Sequence, residues 1–136
     1  MQIAATKYFK PKETIASGNH PELAAFPTEE KIIKNVMFAM QCADKVREKL
    51  KKPMVILSWY RNLILNKAVS GAKNSDHLYG LALDFYTKTP EETAKLIKSF
   101  NLNFISKIIY YTNKNFVHLS FSRTPVVSKI WEDNSD

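Results

Sequence analysis

The chain has 136 residues and 15.6 kDa, with 45% hydrophobic, 24% charged and 12% aromatic residues. That is the profile of one globular domain with a sizeable core rather than of a disordered or fibrous chain. One cysteine and three glycines exclude a disulfide scaffold, a cysteine-ligated zinc cluster and a glycine-rich phosphate loop.

The formal charge is 20 − 13 = +7, and seventeen of the twenty cations are lysine. A charge of this sign either serves solubility alone or draws the chain to a polyanion: nucleic acid, an acidic membrane surface or an anionic cell wall. Lysine in place of arginine points away from base-edge readout. The Lys49-Leu-Lys-Lys52 run and some exposed aromatics are the only support for a nucleic-acid partner, which is not expected. The opening residues lack the apolar core of a secretory signal, and the longest apolar run, Val36 to Met40, falls far short of the roughly 20 residues of a spanning helix. The expectation is a product made in the cytoplasm without a signal peptide.

Residues 1–27 hold three of the six prolines, Pro11, Pro21 and Pro27, with a turn signal at Gly18-Asn19, and read as an extended N-terminal arm. Thr28 is placed to cap a helix whose first turn carries Glu29 and Glu30. Ile33, Val36, Met37, Met40, Ala43 and Leu50 then fall on one stripe, and the helix should stop near Lys51-Lys52-Pro53. Cys42, inside this pattern, reads as a small core or surface residue. Met54 to Leu57 reads as a buried strand, Ser58 to Ala68 as a turn and short helix, and Ser70 to Gly80 as a polar loop.

From Gly80 to Tyr86 the sequence alternates, with Leu81, Leu83 and Phe85 on one face and Ala82, Asp84 and Tyr86 on the other. Thr89-Pro90-Glu91-Glu92 predicts a helix start with a capping box, and the helix should run to about Phe100. Strands over 106–112 and 115–121, joined through Thr112-Asn113-Lys114, predict a hairpin. The 122–136 tail carries Val126, Val127, Ile130 and Trp131 and reads as a short closing helix. The whole is expected to be one α+β domain over 1–136, with a small, mostly antiparallel sheet flanked by helices.

The residues suited to chemistry are few. His77 and Asp84 stand in His-x-x-Gly-x-Ala-x-Asp, and Asp84 points away from the Leu83/Phe85 face. His118 alternates against Val117, Leu119 and Phe121 and would share Asp84's face if the two strands are neighbours. Two imidazoles and a carboxylate form a zinc ligand set with a fourth position left for water, whose pKa the metal lowers toward about 7. Each of the three also fits a satisfied surface or core residue. His20, in the arm, reads as incidental.

Ser58-Trp-Tyr-Arg61, Asn66, Gly71, the Ser75-Asp-His77-Leu-Tyr-Gly80-Leu-Ala82-Leu-Asp84 block and Phe116-Val-His118-Leu-Ser120 together resemble peptidase family M15, the zinc D-Ala-D-Ala carboxypeptidases, over about residues 8–122. The likeness is to the small branch that includes phage endolysin-like peptidases and has the hedgehog/DD-peptidase fold; Phe116 stands where the family has tryptophan. The resemblance implies His77, Asp84 and His118 as zinc ligands. It implies Arg61 as the cation for a substrate carboxylate or developing oxyanion, for which a buried ion pair is the other reading. Ser75 is implied as a donor to the substrate backbone, with a loop cap as its other reading. The implied substrate is bacterial peptidoglycan, reached after lysis-linked release or from a virion among other phage proteins.

The resemblance also puts an acid or base three residues before the last histidine, and this chain has Asn115 there, which cannot accept a proton at neutral pH. In the small branch a glutamate on the preceding strand can serve, where Tyr111 stands here. Asp76 and Tyr111 are the nearby substitutes. Asn115 therefore supports a second expectation, a catalytically impaired module of the same fold with a binding or structural role.

Overall fold

The computed structural model describes residues 2–134. Its elements are α1 (Glu30–Leu50), β1 (Val55–Ser58), α2 (Leu63–Ala68), β2 (Ala82–Tyr86), α3 (Pro90–Ser99), β3 (Ile105–Tyr111), β4 (Phe116–Phe121) and β5 (Lys129–Asp133). The five strands form one sheet in the order β1-β2-β4-β3-β5, antiparallel except for the β3–β5 pair. The architecture is α+β with a mixed sheet.

The period-2 pattern of β2 and β4 gives the sheet two distinct faces. Leu83 and Phe85 lie opposite Leu119 and Val117, and these join Ile108 in a core closed by Val36, Met40, Ala43 and Val46 of α1 and by Ala94 and Ile97 of α3. The other face is organised in cross-strand rows. One row runs Ser58–Asp84–His118–Ile109–Trp131, and its neighbour runs Tyr86–Phe116–Tyr111–Asp133. Leu57 is skipped where β1 meets β2, and this shift brings Ser58 opposite Asp84.

Several local expectations are corrected. The first helix starts one residue later than a Thr28 cap requires: Glu29 is its N-cap, and no side chain caps it. Met37 is only half-buried, whereas Ala39, Cys42 and Val46 are buried. Cys42 is a core residue whose thiol burial pushes up to about 12. The β1 strand lies at the sheet edge and leaves Val55 exposed, so it is not a buried strand. The capping box at Thr89 does not form. Thr87 Oγ1 accepts from the Thr89 amide instead and pairs with Thr93 Oγ1 at 2.9 Å. Within the 70–80 loop a short 3-10 helix forms over Asp76–Tyr79, capped by the Ser75 hydroxyl.

The tail is a strand, not a helix. Val126 N donates to Asn103 O and Ser128 Oγ to Ile105 O, and these bonds lead the chain alongside β3 in parallel register. The arm, too, is held to the body. Phe9 is buried edge-on against Trp59 at 5.6 Å between ring centroids, Thr14 O accepts from Tyr60 N, and Ser17 bridges Ser58.

Gly80 joins the 3-10 helix to β2 at φ +74°, and a Cβ there would lie 2.5 Å from Val36 Cγ2 of α1. Both the left-handed backbone and the close helix contact require glycine. A Gly80→Ala variant should lose roughly 2–4 kcal/mol of stability, read as a lowered urea midpoint; an unchanged midpoint would contradict this packing.

Candidate metal centre

Trp59 is fully buried and its backbone carbonyl accepts from His77 Nδ1 at 2.6 Å, while its indole donates to Gly80 O. The His77 amide donates to Ser75 Oγ, and its carbonyl accepts from Arg61 N. With Nδ1–H committed to Trp59, Nε2 is the His77 ring atom turned to Asp84 Oδ2, 3.4 Å away, and the one left to offer a metal ion. This partner fixes both the tautomer and the ring plane.

Across the sheet, His118 lies directly opposite Asp84, with Nδ1 2.9 Å from Asp84 Oδ1. The two imidazoles meet edge to face at 5.1 Å. One ligand atom from each of His77, Asp84 and His118 falls within 4.8 Å of the others. The expectation that His118 shares a face with Asp84 is met by direct register pairing. Arg61 Nη2 stands 3.7 Å from Asp84 Oδ2, its Nε donates to Ser58 Oγ and its Nη1 to Asn66 Oδ1. Gly71 permits this support, since a Cβ there would sit 2.1 Å from Asn66 Oδ1.

The cluster opens on a cleft of about 460 Å³ whose floor is the two cross-strand rows and whose wall is the 69–77 loop. Ser75, Asp76 and Tyr111 all line it. Ser75 caps the 3-10 helix. Asp76 Oδ2 accepts from Lys107 Nζ at 3.0 Å and from Ser120 Oγ at 2.9 Å. Tyr111 stacks on Phe116 at 4.2 Å, hydrogen bonds to Asp133, and is pushed up to about 12, chiefly by burial. Asn115 is not among the cleft residues. It is exposed in the β3–β4 turn at φ 54°, a left-handed conformation that asparagine tolerates, and its carbonyl accepts from Thr87 N. His20 pairs with Glu22 at 3.2 Å.

Sequence reasoning missed Lys107, Ser120, Trp131 and Asp133. The last two come to the cleft on β5, which no local signal distinguished from a helix. Ser120 follows His118 at period 2, and that spacing alone puts it on the ligand face.

Burial works to raise the Asp84 carboxyl, but the charges and hydrogen bonds of His77 and His118 outweigh it and hold the group well below the usual carboxylate range. Burial lowers the His118 imidazole from its ordinary 6.5, against the opposing pull of Asp84. Both folded values lie below their unfolded ones, so the native metal-free chain binds fewer protons than the unfolded chain and its stability rises with pH. Stability should be complete above 6.5, fall as His118 is forced to charge, and fall again below 3.8 as Asp84 is protonated. Urea midpoints at about pH 8, 5 and 3 test this, and a His118→Gln variant should remove the first loss; a flat profile would contradict it.

A family model described as peptidase M15 matches residues 7–120. That span runs from the arm through the Ser58–Arg61 and His77–Asp84 blocks to Ser120, two residues beyond His118. No curated protein sequence matches the chain. The match covers most of the sequence and every side chain of the His-Asp-His cluster, and the chain belongs to peptidase family M15.

Proposed function

We propose that the protein is a zinc-dependent peptidase acting on bacterial peptidoglycan, as a D,D-carboxypeptidase or an endopeptidase of stem peptides or cross-links, with a hedgehog/DD-peptidase-like fold. The observation that carries this reading is the convergence of His77, Asp84 and His118 on an open cleft beside Arg61. Two imidazoles and a carboxylate suit zinc better than calcium or magnesium, which prefer all-oxygen shells. His77, Asp84 and His118 would hold the ion. Bound there, zinc supplies Lewis acidity and lowers the pKa of a coordinated water toward about 7.

The remaining work falls to the chain's own groups. Arg61, held by Ser58 and Asn66, presents a planar, permanently charged donor at the cleft, suited to a substrate carboxylate or to the charge that develops on a carbonyl oxygen. Ser75 accepts from the His77 amide and keeps its own proton to give to a substrate backbone. Tyr111, with its raised pKa, stays protonated at neutral pH and bonded to Asp133, so it cannot serve as the base. The charge of +7 suits an anionic wall, and the likeness to endolysin-like members makes a phage or prophage lysis or virion protein the matching origin.

A second reading is favoured by Asn115: at the family's acid/base spacing this chain has an amide, exposed in a turn and outside the cleft lining. In that reading the domain binds wall peptides without cutting them.

Purified protein loaded with one zinc should release cut muropeptides from peptidoglycan at neutral pH, lose that activity on chelation and regain it with zinc. Binding without cleavage would favour the second reading, and neither binding nor cleavage would overturn the substrate class. Arg61→Ala should lower kcat/KM by about 10²–10³-fold, with Arg61→Lys failing to restore it because an ammonium lacks the fork.

A further inference from the structure

Ser120 is buried at 1% exposure on the cleft face of β4, two residues after His118, and its hydroxyl links two groups. It donates to Asp76 Oδ2 at 2.9 Å and lies 2.7 Å from His118 Nε2. A hydroxyl has one proton. With that proton given to the Asp76 carboxylate, Ser120 Oγ can only accept from the imidazole, so Nε2 carries a hydrogen, and the His118 atom a metal ion would take is Nδ1, which otherwise bonds Asp84 Oδ1 at 2.9 Å. Asp76 is held in turn by Lys107 Nζ at 3.0 Å, from β3. The chain of donors therefore runs in one direction, His118 to Ser120 to Asp76, with Lys107 anchoring its far end.

We infer that Ser120 and Asp76 are positioning residues for a metal ion: they hold His118 in the tautomer that leaves Nδ1 as its ligand atom, facing Asp84. This rests on the metal-centre reading above. It gives Asp76 a role other than proton transfer: its Oδ2 is committed to Ser120 and Lys107. It also makes the two imidazoles asymmetric. His77 is oriented through Nδ1 by a backbone carbonyl and offers Nε2, whereas His118 is oriented through Nε2 by side chains and offers Nδ1. Only the second arrangement can be abolished by a side-chain substitution without moving the main chain.

Ser120→Ala removes the acceptor. Asp76→Ala frees the Ser120 hydroxyl to turn and donate to Nε2, which drives the ring proton to Nδ1. Each should weaken zinc binding about 10–100-fold in chelator competition, the range found for lost outer partners of metal-ligating histidines. The two substitutions act on one relay, so the double variant should bind no more weakly than Ser120→Ala alone. Imidazole 15N shifts supply a readout that a merely structural role would not move. The zinc-loaded parent should show a protonated Nε2 and a ligated Nδ1 on His118, a pattern that Asp76→Ala should weaken. Variants that hold zinc as tightly as the parent, or a parent ligating through His118 Nε2, overturn this inference alone. A parent that takes up no zinc, or keeps it unchanged in His77→Ala, overturns the metal centre and the inference with it.

Discussion

A carboxylate buried in the middle of a sheet governs this structure. Asp84 is 7% exposed, on a strand with neighbours on both sides. A charge so placed is tolerated only when it is paired and hydrogen-bonded. Its partners come from three separate parts of the chain: His77 from the loop before β2, His118 from β4 and Arg61 from the segment after β1. Each of these is fixed by its own contacts. The carbonyl of buried Trp59 orients His77, the β1–β2 shift brings Ser58 into the row where it accepts from Arg61, and glycine at 71 lets Asn66 approach the guanidinium. The requirement to satisfy one anion thus accounts for three sequence blocks far apart in the chain. Removing one member of such a set leaves the others uncompensated, at a typical cost of about 3–5 kcal/mol for a buried pair.

This constraint also explains which parts of the molecule were legible in the sequence. The Asp84 face followed from alternation alone, because Leu83 and Phe85 could only point inward; the same held for His118 between Val117 and Leu119. Their strand pairing then made the site. The errors lie where local chemistry had rival solutions. Thr89 has the residues of a capping box, yet Thr87 and Thr93 offered its backbone and hydroxyl nearer partners. The tail's apolar spacing fits a helix or a strand, and the choice fell to bonds from Asn103, Ile105 and Lys98 that only the folded sheet supplies. Asn115 stands at the family's acid/base spacing and also serves the β3–β4 turn, where asparagine tolerates its left-handed φ. The relay through Ser120 was hidden for a different reason, since Asp76 and Ser120 stand 44 positions apart and meet only through register.

The cleft combines two regions of unlike physical character. Its inner part is cross-bonded and largely buried, with Asp84 on β2, His118 on β4 and His77 on the loop before β2. Its outer part is carried by β5, an edge strand beyond the residues matched by the family, with Trp131 41% exposed and Asp133 bonded to Tyr111. An edge strand has a neighbour on one side only, so its side chains can change without disturbing a buried partner across the sheet. Ile109 and Tyr111 of β3, one in each row, separate the two regions. A substitution at Trp131 therefore reaches the His-Asp-His cluster only across Ile109, while one at Ser120 reaches it through a single hydrogen bond. The His-Asp-His centre is fixed because a buried anion must keep its partners, and the outer wall of the cleft is adjustable because it lies at the edge of the sheet.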